Sequence, residues 1–227
     1  MHRSEGGGPR SARILAELLV IVVGVLLALA ADRWNQARSV RALEAAYLGR
    51  FAEEIQADSA SAARYLERRP SIIAGLDTLI AFIDGAEAPP NLVATLISVS
   101  GELSLPGPVA WTEIQATNSL DVIADPNIRA ALAEYYATRD RLQLMWRRQD
   151  SRARDPLWDQ LYGMGLFDPK SDFEAPPSTG VEEFRSWPDI RRLLVALGAG
   201  HYFQENNAEG TLQATHVALA TLRRGRS

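Results

Sequence analysis

The chain has 227 residues, 47% of them apolar and 23% charged, with a formal net charge of −4. That length holds one domain and hardly two, and the composition is too apolar for a disordered chain. There is no cysteine, which excludes disulfides, zinc–thiolate sites, iron–sulfur clusters and thiol nucleophiles, and the acidic balance leaves no whole-chain basic footprint for nucleic acid. Lys170 is the only lysine among 24 basic residues, so Schiff-base and phosphate-loop lysine chemistry has a single candidate, in a loop.

Residues 1–12 are glycine-rich and are expected to form a tail without fixed structure. The strongest signal follows. Residues 14–31, ILAELLVIVVGVLLALAA, hold one ionisable side chain, Glu17. At about 1.5 Å per residue they reach about 27 Å, near the roughly 30 Å of a bilayer core. Arg13 precedes the run, and Arg33 and Trp34 follow it where interfacial residues belong. The expectation is one transmembrane helix over 13–31, in contact with the lipid bilayer through 14–31. A cleaved signal peptide is the rival, since Ala28-Leu29-Ala30 matches a small-x-small site, but the run exceeds the usual apolar length of such a leader. Glu17 lies about one turn inside the run. There a carboxylate snorkels to the headgroups, or serves as an intramembrane polar site. Basic residues balance on the two flanks, so orientation rests on the α-amino group and short tail, which favour an inner amino end and an extracytoplasmic domain.

From residue 32 to the end the pattern predicts a helical-bundle domain. Val40, Leu43, Tyr47, Phe51 and Ile55, then Ala62 and Leu66, step mostly by three or four. No proline interrupts 13–69, which predicts one continuous helix ending near Arg69. A shorter helix is expected over 71–85, stopped by Gly85, then a Pro89-Pro90 turn, a helix over 91–103 and a loop at 105–108. Another helix is expected over 111–123. Asp125-Pro126 reads as an N-cap followed by proline at the first helical position, opening a helix with Ile128, Leu132, Tyr135, Leu142 and Trp146 on its apolar face. Asp155-Pro156 marks a kink or restart, and 163–180 a long loop. Pro188 opens a helix expected to end at Gly198 and Gly200, and a last helix runs over 201–224. No alternating stretch competes, so the class is all-α.

Chemistry is harder to find. His201 and Glu205 share a helix face but are two ligands, not a metal site, and read as a solvated or cap-adjacent pair; His216 reads as a hydrogen-bonded core histidine. No G-x-S-x-G, Walker or dinucleotide pattern occurs. Glu53-Glu54 and Glu182-Glu183 are adjacent pairs expected to face solvent. No catalytic residue, metal or cofactor is assigned. The most suggestive constellation is Glu113, Asn118, Asp121, Arg129, Tyr135 and Tyr136, which a hairpin about Asp125-Pro126 brings near one another as a ligand or partner site. The competing reading has Asn118 and Ser119 satisfying local backbone groups and both tyrosines filling the core with their hydroxyls at its rim.

Two stretches, IVVGVLLALAADRWN at 21–35 and WTEIQATNSLDVIADPNIRAALAEYY at 111–136, resemble a family of uncharacterised bacterial single-span membrane proteins sharing a domain of unknown function. The resemblance implies a single-pass protein of the bacterial inner membrane carrying a helical domain, and it implies no catalytic residues. The expected function is a membrane-anchored interaction or sensing module with a protein partner and no nucleic acid. Two alternatives stay open: a membrane-tethered hydrolase with a dispersed site, and an accessory subunit of a membrane transporter or kinase.

Overall fold

A computed structural model describes the backbone of residues 9–150, 154–164, 166 and 180–225, the side chains of 9–16 and 146–150 excepted. The described residues are helical and contain no strand: α1 (Pro9–Ile83), α2 (Leu92–Val99), α3 (Val109–Ala116), α4 (Pro126–Asp150), α5 (Arg154–Gly163), α6 (Val181–Ser186) and α7 (Ile190–Arg224). The chain divides into two compact units, Met1–Gly49 and Arg50–Ser227. Of the expected tail over 1–12, residues 1–8 lie outside the described residues, as do most of the expected loop over 163–180 and the side chains of Arg13 and Trp146, whereas 9–12 are helical and belong to α1 rather than to a tail.

In the first unit, residues 18–31 are helical and exposed along their whole length. Among the described residues no helix is long and apolar enough to cross a membrane. The part of the apolar run with described side chains, 17–31, rises about 22 Å against a hydrocarbon core of roughly 30 Å. Asp32 accepts a hydrogen bond from Gln36 at 2.9 Å, one turn on.

In the second unit several expected boundaries move. Helix α1 does not stop near Arg69 but runs through Pro70 to Ile83. Proline inside a helix deprives the carbonyl four residues back, that of Leu66, of its donor, at a cost of ~3 kcal/mol. Packing offsets that cost, since Tyr65, Ile72, Leu76 and Leu79 are all buried on either side of it. Gly85 does end the segment: its φ of +113° lies in the left-handed region that a side chain disfavours. Helix α2 is shorter than expected, with Asn91 Oδ1 accepting from the Ala94 N–H at 2.9 Å as its N-cap. Gly75 of α1 lets α2 approach, for a Cβ there would sit 2.7 Å from Val99 Cγ1.

The helix expected over 111–123 is broken. Helix α3 ends at Ala116, Asn118 takes a φ of 49°, and a short 3-10 helix (Leu120–Val122) follows. The Asp125-Pro126 start holds, with Asp125 Oδ1 accepting from the Asn127 N–H at 2.8 Å. Helix α7 is continuous through Gly198 and Gly200, where two helices were expected. Two glycines cost only about 1 kcal/mol each in a helix, and the buried Leu194, Leu197, His201 and Gln204 hold this one together across them. Helix α6, six residues long, was not expected at all; it is too short for its periodicity to register.

Helix α7 packs against several of the others, α4 most extensively. Leu76 and Arg69 of α1, and Asp84 just past its end, lie beside Gly198, Glu205 and Arg191, so the two run antiparallel. Leu142 and Ile128 of α4 lie beside Gly210 and Gly225, so α4 is antiparallel to α7 as well. The main core collects Tyr65, Leu79, Leu96, Leu161, Phe184 and Leu194, from α1, α2, α5, α6 and α7.

The two histidine expectations are reversed. His216 is exposed, whereas His201 is 0% exposed and stacked on Tyr65 at 6.3 Å between centroids. Because α7 does not break at Gly200, His201 sits mid-helix in the core rather than at a solvated end. Its Nε2 lies 2.7 Å from the Val99 carbonyl, which can only accept, so that nitrogen carries the hydrogen. Nδ1 then accepts from the Tyr65 hydroxyl at 3.0 Å. The ring is thus satisfied as a neutral imidazole. Burial lowers its pKa most, the Val99 bond opposes this, and the Arg154 and Arg69 charges lower it further. An unfolded chain binds this proton near the ordinary value of 6.5, and the folded chain only at lower pH. Stability from His201 is therefore complete above that value and lost as pH falls through the folded pKa. Thermal melts followed by circular dichroism from pH 7.5 down to 5.5 should show a falling midpoint, and His201→Gln should flatten that slope. An equal slope in the variant would contradict the neutral assignment.

Candidate functional site

The second unit carries a ladder of polar residues along one face of α1: Arg50, Glu54, Asp58, Tyr65 and Arg69, each spaced by four or seven. On a helix such spacing keeps side chains on one stripe. Each rung finds a partner on another element. Arg50 Nη2 pairs with Glu113 Oε2 at 2.5 Å, and Arg69 Nη2 with Glu205 Oε2 at 2.7 Å. Between them lies the densest part.

Asp58 and Arg139 form a buried ion pair, Oδ2 to Nε at 2.6 Å, with side chains 4% and 2% exposed. The same Asp58 oxygen accepts from the Tyr135 hydroxyl at 2.6 Å, while Arg139 Nη2 donates to the Pro106 carbonyl. One turn away, Glu54 Oε2 accepts from the Tyr136 hydroxyl at 2.7 Å and Glu54 Oε1 from the Ala110 N–H at 2.5 Å. That second bond supplies an otherwise orphaned donor in the first turn of α3. Tyr136 also stacks on Trp111 at 4.5 Å and 8°, with Phe51 edge-on at 6.1 Å. Burial first, then the Asp58 charge and hydrogen bond, raises the Tyr135 pKa; burial and the Glu54 hydrogen bond do the same for Tyr136. Both phenols are therefore fixed as neutral donors to carboxylates.

The expected constellation is only partly assembled. Tyr135, Tyr136 and Glu113 join this network or its edge. Arg129 instead clamps its own turn, donating through Nη1 to the carbonyls of Ile123 at 2.5 Å and Ala124 at 3.2 Å. Asn118 and Asp121 are exposed: Asn118 supplies the left-handed residue after α3, which asparagine tolerates, and Asp121 lies in the 3-10 turn. Glu54, expected to face solvent with Glu53, is half-buried and bonded: adjacent positions lie about 100° apart on a helix, which leaves Glu53 in solvent while Glu54 turns towards α3 and α4. Asp58 and Arg139 were not singled out, yet a signal exists. The apolar stripe of α1 skips from Ile55 to Ala62, and that of α4 from Tyr135 to Leu142; Asp58 and Arg139 fill the two gaps. Opposite charges at core positions of two helices are the signature of a buried pair.

Beside Tyr135 a groove of about 340 Å³ runs between α4 and α7, floored by Ala131, Leu142, Ala214 and Ala218 and edged by Glu134 and Arg141. It continues towards Asp125 and Arg224 as a second hollow of about 530 Å³ that shares Ala131, Glu134 and Val217. Among the described residues no group of three histidine, aspartate or glutamate side chains converges as a metal site. Both network carboxylates already accept two donors each, an arrangement that fixes helices against one another rather than leaving a free base. No family model, curated protein or solved structure matches the chain.

Removing one phenol tests the network. Tyr136→Phe leaves Glu54 Oε2 without its donor and should cost about 1.5–3 kcal/mol in urea unfolding, as for a hydrogen bond to a charged group. A stability change within about 0.5 kcal/mol, the range of ordinary surface substitutions, would show that the bond contributes nothing.

Proposed function

We propose that this protein is a membrane-anchored helical interaction or sensing module, without catalytic activity, of the bacterial single-span kind that its two motif stretches resemble. One observation carries the reading. Every large apolar side chain between Leu18 and Leu29 is between 46% and 71% exposed, and at about 100° per residue these positions cover the whole helix circumference. Burying a large apolar side chain is worth roughly 1.5–3 kcal/mol, so so many left in water carry a large combined penalty. A second protein helix covers only a stripe roughly 100° wide, whereas hydrocarbon covers every direction. The bilayer is therefore the cover that fits, with residues 14–17 completing the span and Glu17 snorkelling at its start.

In this reading the amino end stays on the inner side of the bacterial inner membrane, favoured by its α-amino charge and short tail, and the second unit meets a protein partner outside. The engagement of Glu54 and Asp58 with tyrosine, arginine and backbone donors favours a binding role over hydrolysis. Membranes from expressing cells, washed with alkaline carbonate, should retain the full-length chain in the pellet. Release of a chain whose amino terminus lies near Ala31 would show a cleaved leader instead.

A further inference from the structure

Immediately after its apolar run the first unit changes character over one stretch, DRWNQARSVR at 32–41. Trp34, Arg38 and Arg41 are spaced by four and three, so at about 100° per residue they fall within about 60° of one another. All three are exposed, Trp34 at 66%. The Arg38 guanidinium carbon lies 5.7 Å from the centroid of the Trp34 ring, a cation–π distance. A cation–π contact of this kind restrains the guanidinium without using its N–H donors, which stay able to meet an oxygen acceptor. The nearest acid within the stretch, Asp32, accepts from Gln36 at 2.9 Å and lies on the far side of the helix from Trp34. Glu44, half-buried, lies one turn beyond Arg41.

The spacing along the axis matches a headgroup layer. Trp34 lies about 5 Å beyond Ala31, Arg38 about 10 Å and Arg41 about 15 Å. Headgroups occupy about 5–8 Å outside each face of the hydrocarbon. Side chains on a helix lean towards its amino end, here back towards the apolar run, so both arginines reach into that layer. We infer that Trp34, Arg38 and Arg41 form a binding site for the phosphate of an anionic lipid headgroup, with Arg38 as its stacked, bidentate centre and Arg33 adding charge on the neighbouring face. This rests on the anchored reading above. A zwitterionic lipid brings its own ammonium to compete for the same phosphate, whereas a phosphatidylglycerol does not, so the site distinguishes the two.

The test uses the full chain reconstituted in phosphatidylcholine bilayers with trace spin-labelled phosphatidylglycerol or phosphatidylcholine. Electron paramagnetic resonance gives the ratio of their association constants at the protein surface. An attraction of ~1 kcal/mol per arginine near the surface corresponds to about fivefold at each contact. The phosphatidylglycerol label should thus be held several-fold better. Arg38→Gln with Arg41→Gln should bring the ratio near one, while the two lysine replacements keep part of it. Millimolar inorganic phosphate at constant ionic strength should leave the ratio unchanged. Loss of the preference to free phosphate would identify a soluble anion site and overturn the lipid assignment. An integrated protein with equal ratios, or a preference that survives both glutamines, overturns the inference and leaves the anchor standing. A chain that alkaline carbonate strips from the vesicles removes the anchored reading and this site with it.

Discussion

A carboxylate and a guanidinium meet out of water where α1 passes α4, and much of the second unit is arranged so that neither is left alone. Bringing Asp58 and Arg139 into an interior costs several kcal/mol per ion even after relaxation, and their attraction repays this only when the remaining acceptors and donors are filled. Tyr135 fills one site on Asp58, and the Pro106 carbonyl fills one on Arg139. The pair thereby fixes the register of α1 on α4 and pins the loop ahead of α3. Glu54 repeats the arrangement one turn earlier, joining Tyr136 to the first turn of α3. A slip of one turn between the helices would strand both carboxylates.

Further along α1 the same stripe turns to α7. Tyr65 holds a neutral His201, whose other nitrogen donates to α2 through the Val99 carbonyl. Gln204 accepts from the Leu103 N–H at 2.9 Å, and Arg69 pairs with Glu205. Apolar packing supplies most of the stabilisation here, as in any bundle. What the polar ladder adds is specificity of register, since apolar side chains tolerate sliding and directional bonds do not.

How much of this was legible follows from what periodicity records. Helix content and the Asp125-Pro126 start were readable, because caps and apolar repeats are local. The continuity of α1 through Pro70 and of α7 through Gly198 and Gly200 was not, since local breakers were overruled by burial on both sides of them. The candidate site was half visible: the paired tyrosines drew notice, but their acceptors lay some eighty residues earlier, on a helix read as having a solvated acidic face. Pairing across that distance depends on tertiary packing. The gap in each apolar stripe, at Asp58 and at Arg139, was nevertheless present in the sequence. The apolar circumference of 18–29 needed no packing to be noticed, for it lacks the polar face of an ordinary amphipathic helix.

The central claim is that the Asp58–Arg139 pair acts as a coupled unit, and a double-mutant cycle on urea unfolding tests it most directly. Asp58→Leu alone and Arg139→Met alone each leave a buried uncompensated charge or its partner tyrosine unsatisfied, and each should cost about 3–5 kcal/mol. The double replacement removes both charges together and should recover much of that loss, giving a coupling of at least about 2 kcal/mol. Additive losses, with the double variant as unstable as the two singles summed, would contradict the account.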